Sequence, residues 1–115
     1  MLVDSHCHLD FPDFAPELDD VVGRARAAGV GTMLTISTHV RRFERYAAIA
    51  SAYPDVWCSV GTHPHHAAEE PDVTVAELVA LSAHRRCVAI GEAGLDYHYG
   101  RSPPDVSAAV FRTHI

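Results

Sequence analysis

The chain has 115 residues, 48% hydrophobic and 21% charged, with a mean hydropathy of +0.01, a composition that reads as one soluble globular unit and not as a disordered tail. No apolar run approaches the ~18 residues of a membrane span, and residues 1–10 carry two acids and two histidines where a secretory leader needs a basic residue followed by an unbroken apolar stretch. Three widely spaced cysteines form no Cys-x-x-Cys pair, which points to a reducing cytoplasm, and the formal charge of −6 argues against nucleic-acid binding through a broad basic surface, although a metal ion can bring positive charge to a site.

Four short apolar segments alternate with four helical patterns. The predicted strands are Leu2 to Asp4 running into the histidines, Val30 to Ser37, Val56 to Gly61 and Cys87 to Glu92. Their apolar residues run on more than they alternate, as expected of strands buried on both faces of a parallel sheet. Between them, Pro16 to Ala28 places Leu18, Val21, Val22, Ala25 and Ala28 on one face, with proline at its start and Gly29 at its end. Arg41 to Tyr53 repeats the pattern with Phe43, Tyr46, Ala47 and Ala50, and Pro54 stops it. Thr74 and Glu77 have capping-box spacing ahead of Leu78, Val79 and Leu81. A fourth helix starts near Pro104 and carries Val106, Ala109, Val110 and Phe111. Strand starts recur about every thirty residues, the length of one strand-helix unit of a parallel α/β protein. The expected organisation is therefore a single partial domain over residues 1–115 that stops in mid-pattern within the fourth helix.

Polar residues gather after each strand: His6 and His8, Thr38 and His39, His63 to His66, and Glu92 with Asp96. Parallel α/β folds keep their active sites on that carboxyl rim. In extended backbone the side chains of His6 and His8 share a face, so both imidazoles can reach one metal ion, with Asp4 and Asp10 placed to orient the rings. Gly61-Thr62-His63-Pro64-His65-His66 makes a sharp turn at a strand end, where a histidine can bond a phosphate oxygen or move a proton. His63 is read as functional there, His65 is balanced between site and loop, and His66 reads as a solvated loop residue. Glu92 follows the apolar run Val88 to Ile90, and a carboxylate there needs a cation or donors to meet it. It can bridge two metals or position water. Asp96 either joins the site or caps backbone amides in a turn. His39, His84 and His98 lack partners at a defined spacing and read as helix-end or loop histidines. Cys58 and Cys87 read as small core residues, Cys7 as facing away from the two ligands, and Trp57, Phe43, Tyr46 and Tyr53 as packing.

Leu2-Val3-Asp4-Ser5-His6-Cys7-His8-Leu9-Asp10 resembles the opening signature of the TatD family of metal-dependent deoxyribonucleases. Gly61-Thr62-His63-Pro64-His65 and Ile90-Gly91-Glu92-Ala93-Gly94-Leu95-Asp96-Tyr97 resemble that family's next two hallmarks, in the same order and spacing. The resemblance implies a (β/α)₈ barrel of which this chain supplies the N-terminal half, about four strand-helix units. It implies one or two divalent ions, Mg, Mn or Zn, with His6 and His8 holding one and Glu92 bridging two. It further implies phosphodiester hydrolysis from the 3′ end of single-stranded DNA, with RNA as a further possible substrate. Glu92 and His63 are the implied catalytic residues, and His63, His65 and Asp96 the implied substrate contacts.

Related chains often carry glutamine in the fourth helix where Ser107 stands here, a change expected to fall on a surface contact. The family's later ligands, two histidines and an aspartate, have no matching positions, and His114 lies on the helix before the strand that carries the next ligand. A half barrel has free edges and an open apolar face, so self-association or instability is expected of it, and the chain reads as a fragment. Two other functions stand beside the nuclease. One is an amidohydrolase that splits C–N bonds, disfavoured because such enzymes often bridge their metals through a carboxylated lysine and all nine cationic side chains here are arginine. The other is a metal-binding half barrel without catalysis.

Overall fold

The computed structural model describes residues 1–115. Strands β1 (Leu2–Cys7), β2 (Val30–Thr35), β3 (Val56–Val60) and β4 (Cys87–Ile90) alternate with helices α1 (Leu18–Ala27), α2 (Phe43–Ala52), α3 (Val75–Ser82) and α4 (Pro104–His114). Short 3-10 turns lie at Ala15–Glu17, Val40–Arg42 and Pro64–Glu69. Each expected element forms; β1 runs on to Cys7 among the histidines, and β2, β3 and β4 end one or two residues earlier than the apolar pattern suggested. The residues just beyond the strands leave the ladder to build the rim.

The sheet is wholly parallel, in the order β1-β2-β3-β4. Sequential parallel pairing with right-handed crossovers places the connecting helices on one face of the sheet. The core therefore lies between β2, β3 and the helices. Val22, Met33, Phe43, Tyr46, Ala50, Val56, Cys58, Val60 and Leu78 form its centre, with Cys7, Leu18, Val21, Ala25 and Cys87 packed against it. The punctuation works as expected at two helix ends. Gly29 takes a φ of +92° after α1, a backbone conformation that a Cβ disfavours. Thr74 Oγ1 accepts from the Glu77 amide at 3.2 Å while the Glu77 carboxylate accepts from the Thr74 amide at 2.8 Å, a complete capping box.

Three burial expectations are corrected. Strands β1 and β4 are not buried on both faces: Leu2, Val3, Val88 and Ile90 are exposed. These strands stand at the two edges of the sheet, and no layer covers the face opposite the helices. Val79 on α3 is likewise exposed, because α3 packs on the β3–β4 side through Leu78 and Leu81 alone. Ser107 is the opposite case. It is 1% exposed and not a surface contact, because the start of α4 packs against the Pro64–Glu69 turn. No helix is long and apolar enough to cross a membrane.

Candidate metal centre

The carboxyl rim is held together by small residues whose hydrogen bonds pass from strand to strand. The Ser37 amide donates to Ser59 Oγ, and that hydroxyl donates to the Gly91 carbonyl at 2.7 Å. Ser37 Oγ donates to the Gly61 carbonyl at 2.7 Å, and the Gly61 and Glu92 amides donate back to Ser37. The strand ends approach so closely that a Cβ on Gly61 would lie 2.6 Å from the Gly91 carbonyl carbon. This ladder sets the height at which Glu92 leaves β4.

Glu92 is the centre of the cluster. Its Oε2 lies 3.3 Å from His6 Nε2 and 3.9 Å from His8 Nε2, and its Oε1 lies 3.4 Å from His63 Nε2. Oε2 is buried and has no hydrogen-bond partner. A carboxylate oxygen withdrawn from water without a donor is costly unless a cation meets it. His8 Nδ1 donates to the Ile36 carbonyl at 3.1 Å, since a carbonyl only accepts, and this leaves the Nε2 lone pair directed at Glu92. The donor set of two imidazole nitrogens and one carboxylate oxygen, within 4.8 Å of one another, fits a divalent ion.

His63 occupies a different position. Its Nδ1 accepts the His65 amide at 3.0 Å, so in the neutral ring the proton sits on Nε2, facing Glu92. Burial holds its pKa below the ordinary histidine value against the pull of Glu92, with His65, His66 and His8 adding to the depression. The neutral Nε2–H is thus a donor aimed into the cluster.

Asp96 closes a turn and pairs with His65. Oδ1 accepts the His98 and Tyr99 amides at 3.1 and 3.4 Å, closing a turn, and Oδ2 lies 3.2 Å from His65 Nε2. The structure thus brings His6, His8, His63 and Glu92 together, while His65 and Asp96 form a separate pair beside them. The acids flanking the first histidines do not orient the rings as expected. Asp4 accepts the His6 backbone amide, and Asp10 lines a neighbouring cavity with Oδ1 unpartnered. Cys7 faces the core, its thiol donating to the Leu34 carbonyl.

Three supporting residues were missed. Glu70 is 3% exposed, and its carboxylate accepts the Val40 and Arg41 amides and the Thr62 hydroxyl, which ties the β2 and β3 loops together. His114 donates from Nδ1 to the Val110 carbonyl and accepts the Thr62 amide at Nε2, docking α4 behind the His63 turn. Tyr46 is more than packing, because its hydroxyl accepts the Thr38 and His39 amides. None belongs to a local pattern; each acts across 7 to 52 residues of chain. A glutamate after a predicted turn gives no sign that it is buried.

A parallel β/α barrel segment with histidines and a glutamate converging on its carboxyl rim defines the class. The chain matches the family model described as TatD related DNase over residues 3–115, and it belongs to that family. It is 35% identical over 115 residues to a protein described as uncharacterized metal-dependent hydrolase YabD from Bacillus subtilis, covering 100% of this chain and 45% of that one. It is 36% identical to a 3'-5' ssDNA/RNA exonuclease TatD from Erwinia tasmaniensis, covering 99% of this chain and 44% of the relative. The crystal structure of YJJV, a TatD homologue from Escherichia coli K12, superposes with a TM-score of 0.88 at 29% identity, over 98% of this chain and 44% of that one. The chain therefore spans less than half the length of the relatives it matches, and its four strand-helix units correspond to the N-terminal half of a TatD barrel.

Proposed function

We propose that residues 1–115 form the N-terminal part of one barrel domain whose function is divalent-metal-dependent hydrolysis of phosphodiester bonds, with 3′ ends of single-stranded DNA or RNA as the substrate class. The observation that carries this reading is the buried, unpartnered Glu92 Oε2 facing two histidine nitrogens. His6, His8 and Glu92 would hold a divalent ion, Mg, Mn or Zn. When bound, such an ion supplies Lewis acidity to a phosphoryl oxygen.

The side chains of the chain itself do the rest. His8 is held by Ile36 so that only one ring nitrogen faces the site. His63, neutral and protonated on Nε2, donates to a non-bridging phosphate oxygen and so orients the phosphodiester against Glu92. The His65–Asp96 pair stands beyond His63 and offers a second donor to the nucleotide. The acidic chain repels a polyanion over most of its surface, so attraction is confined to the rim where His6, His8 and Glu92 would hold the ion.

The test is a 3′-labelled oligonucleotide digested by the purified chain with each metal in turn, alongside equilibrium dialysis of the same metal. Glu92→Gln is expected to abolish both nucleotide release and one equivalent of binding. His63→Gln is expected to lower release while leaving binding intact. Equal release by the parent chain and Glu92→Gln would sink the reading, and so would equal metal uptake.

A further inference from the structure

A second group of side chains converges beside the first without sharing a residue with it. His39 follows β2, and His66 and Glu69 lie on the Pro64–Glu69 turn after β3. Glu69 Oε2 bonds His66 Nδ1 and lies 3.4 Å from His39 Nε2. All three ligand atoms fall within 4.8 Å of one another. The sequence predicts a helix-end or loop position for His39 and a loop position for His66, because nothing in their spacing joins position 39 to position 66. The turn that carries His63 into the first cluster also carries His66 to His39.

We propose that His39, His66 and Glu69 form a second metal site, selective for a transition ion such as Zn, Co or Ni over Mg or Ca. Two imidazoles and one carboxylate are three of the four ligands of a tetrahedral zinc site, and a cavity of about 380 Å³ leaves the fourth position open. Asp10 lines the same cavity, and its buried Oδ1 has no hydrogen-bond partner. Thr38 Oγ1 lies 3.0 Å from His39 Nδ1 and can accept from it, the tautomer that frees Nε2 towards the cavity.

Charge decides the selectivity. Arg42 and Arg45 line the cavity together with Asp10 and Glu69, so the formal charges of these four side chains sum to zero. Hard cations depend on an excess of carboxylates and find none here, whereas imidazole nitrogens bind borderline ions through covalency. The two rings are now stacked, 4.1 Å apart with planes 28° from parallel. Ligation of one ion requires a ring to turn, and His66, on the exposed side of the pair, is the one free to do so.

The test separates this site from the first. In a chain carrying His6→Ala and Glu92→Ala, Co²⁺ titration is expected to give visible d–d absorption and one bound equivalent. Adding His66→Asn or Glu69→Gln is expected to weaken that binding by ~10- to 100-fold, while His84→Asn, a histidine outside both groups, leaves it unchanged. No absorption in the folded background, or binding indifferent to His66→Asn and Glu69→Gln, overturns the proposal. Circular dichroism establishes folding of each variant. Should the background not fold, long-range ¹H–¹⁵N spectra of the unsubstituted chain decide. Zn²⁺ must then shift the His39 Nε2 and His66 Nδ1 resonances, and unmoved resonances at saturation refute the site. Loss of the first cluster's binding alone bears on the proposed function and not on this one.

Discussion

Gly61→Ala tests the packing on which the whole rim depends. The added methyl would meet the Gly91 carbonyl carbon at 2.6 Å, Cα at 2.7 Å and oxygen at 2.8 Å, all backbone atoms with no rotamer to escape by. Restoring ordinary contact requires the ends of β3 and β4 to part by about 0.8 Å, the difference between 2.6 Å and 3.4 Å. Overpacking of this kind costs about 1–3 kcal/mol. At a urea dependence of about 1.5 kcal/mol/M for a chain of this size, the unfolding midpoint falls by ~0.7–2 M. The same displacement moves Glu92, one residue beyond Gly91, away from His6 and His8, so metal affinity falls by about tenfold. Gly94→Ala is the control: its Cβ meets nothing within 4 Å, and the change is neutral or slightly stabilising. Urea unfolding followed by circular dichroism and metal dialysis read the two effects separately. A Gly61→Ala chain as stable as Gly94→Ala, with unaltered metal affinity, would refute the claim that backbone contact sets the position of Glu92.

Two further expectations follow from charged and nucleophilic groups that do not face the metal centre. The Arg26 guanidinium bonds Asp55 through two nitrogens, at 2.7 and 2.6 Å, and holds its carboxyl below the ordinary value. The stability this pair contributes is present above the unfolded pKa of Asp55 and is lost as pH falls through its lower folded value. The gap in thermal midpoint between the parent and Asp55→Asn should therefore close on acidification from pH 5 to pH 2; a constant gap contradicts the assignment. Among the thiols, a shared hydrogen bond with Cys58 draws Cys87 down, while burial and then Asp4 push Cys7 up to about 12. Iodoacetamide at neutral pH should label Cys87 first, read by peptide mass spectrometry, and labelling of Cys7 first contradicts it.

The parts legible in the chain are those encoded locally. Apolar runs at thirty-residue spacing, Pro and Gly at helix ends and the Thr74–Glu77 box each act within a few residues, and each element forms where they lie. His6, His8 and Glu92 were legible because strand geometry and strand ends alone place them on one rim. The second cluster and its neighbours were not, because they depend on the path of two loops. His39 and Glu69 stand 30 residues apart, and Thr62 and His114 stand 52 apart. Burial misled for a related reason. An apolar run states what a strand can bury, whereas the edges and the uncovered face state what this chain does bury, and so Val88 and Ile90 lie in solvent.

Two glutamates on the same rim show how the fold separates a structural carboxylate from one prepared for a cation. Glu70 receives donors at both oxygens: the Val40 amide and Thr62 hydroxyl at Oε1, and the Arg41 amide at Oε2. Glu92 has His63 at Oε1 and no hydrogen-bond donor at the buried Oε2. Loss of charge should therefore act in opposite directions. Glu70→Gln replaces an acceptor with an amide that faces backbone N–H groups, and costs about 1–3 kcal/mol in metal-free buffer. Glu92→Gln removes an uncompensated charge, and leaves metal-free stability within ~0.5 kcal/mol or raises it. On addition of metal the order reverses: the parent gains stability by linkage, while Glu92→Gln gains none from the first cluster. Thermal unfolding of the three chains with and without Mn²⁺ reads all four differences. A Glu92→Gln chain destabilised in metal-free buffer as much as Glu70→Gln would mean that Glu92 already has its partners, and the buried oxygen would no longer argue for a metal.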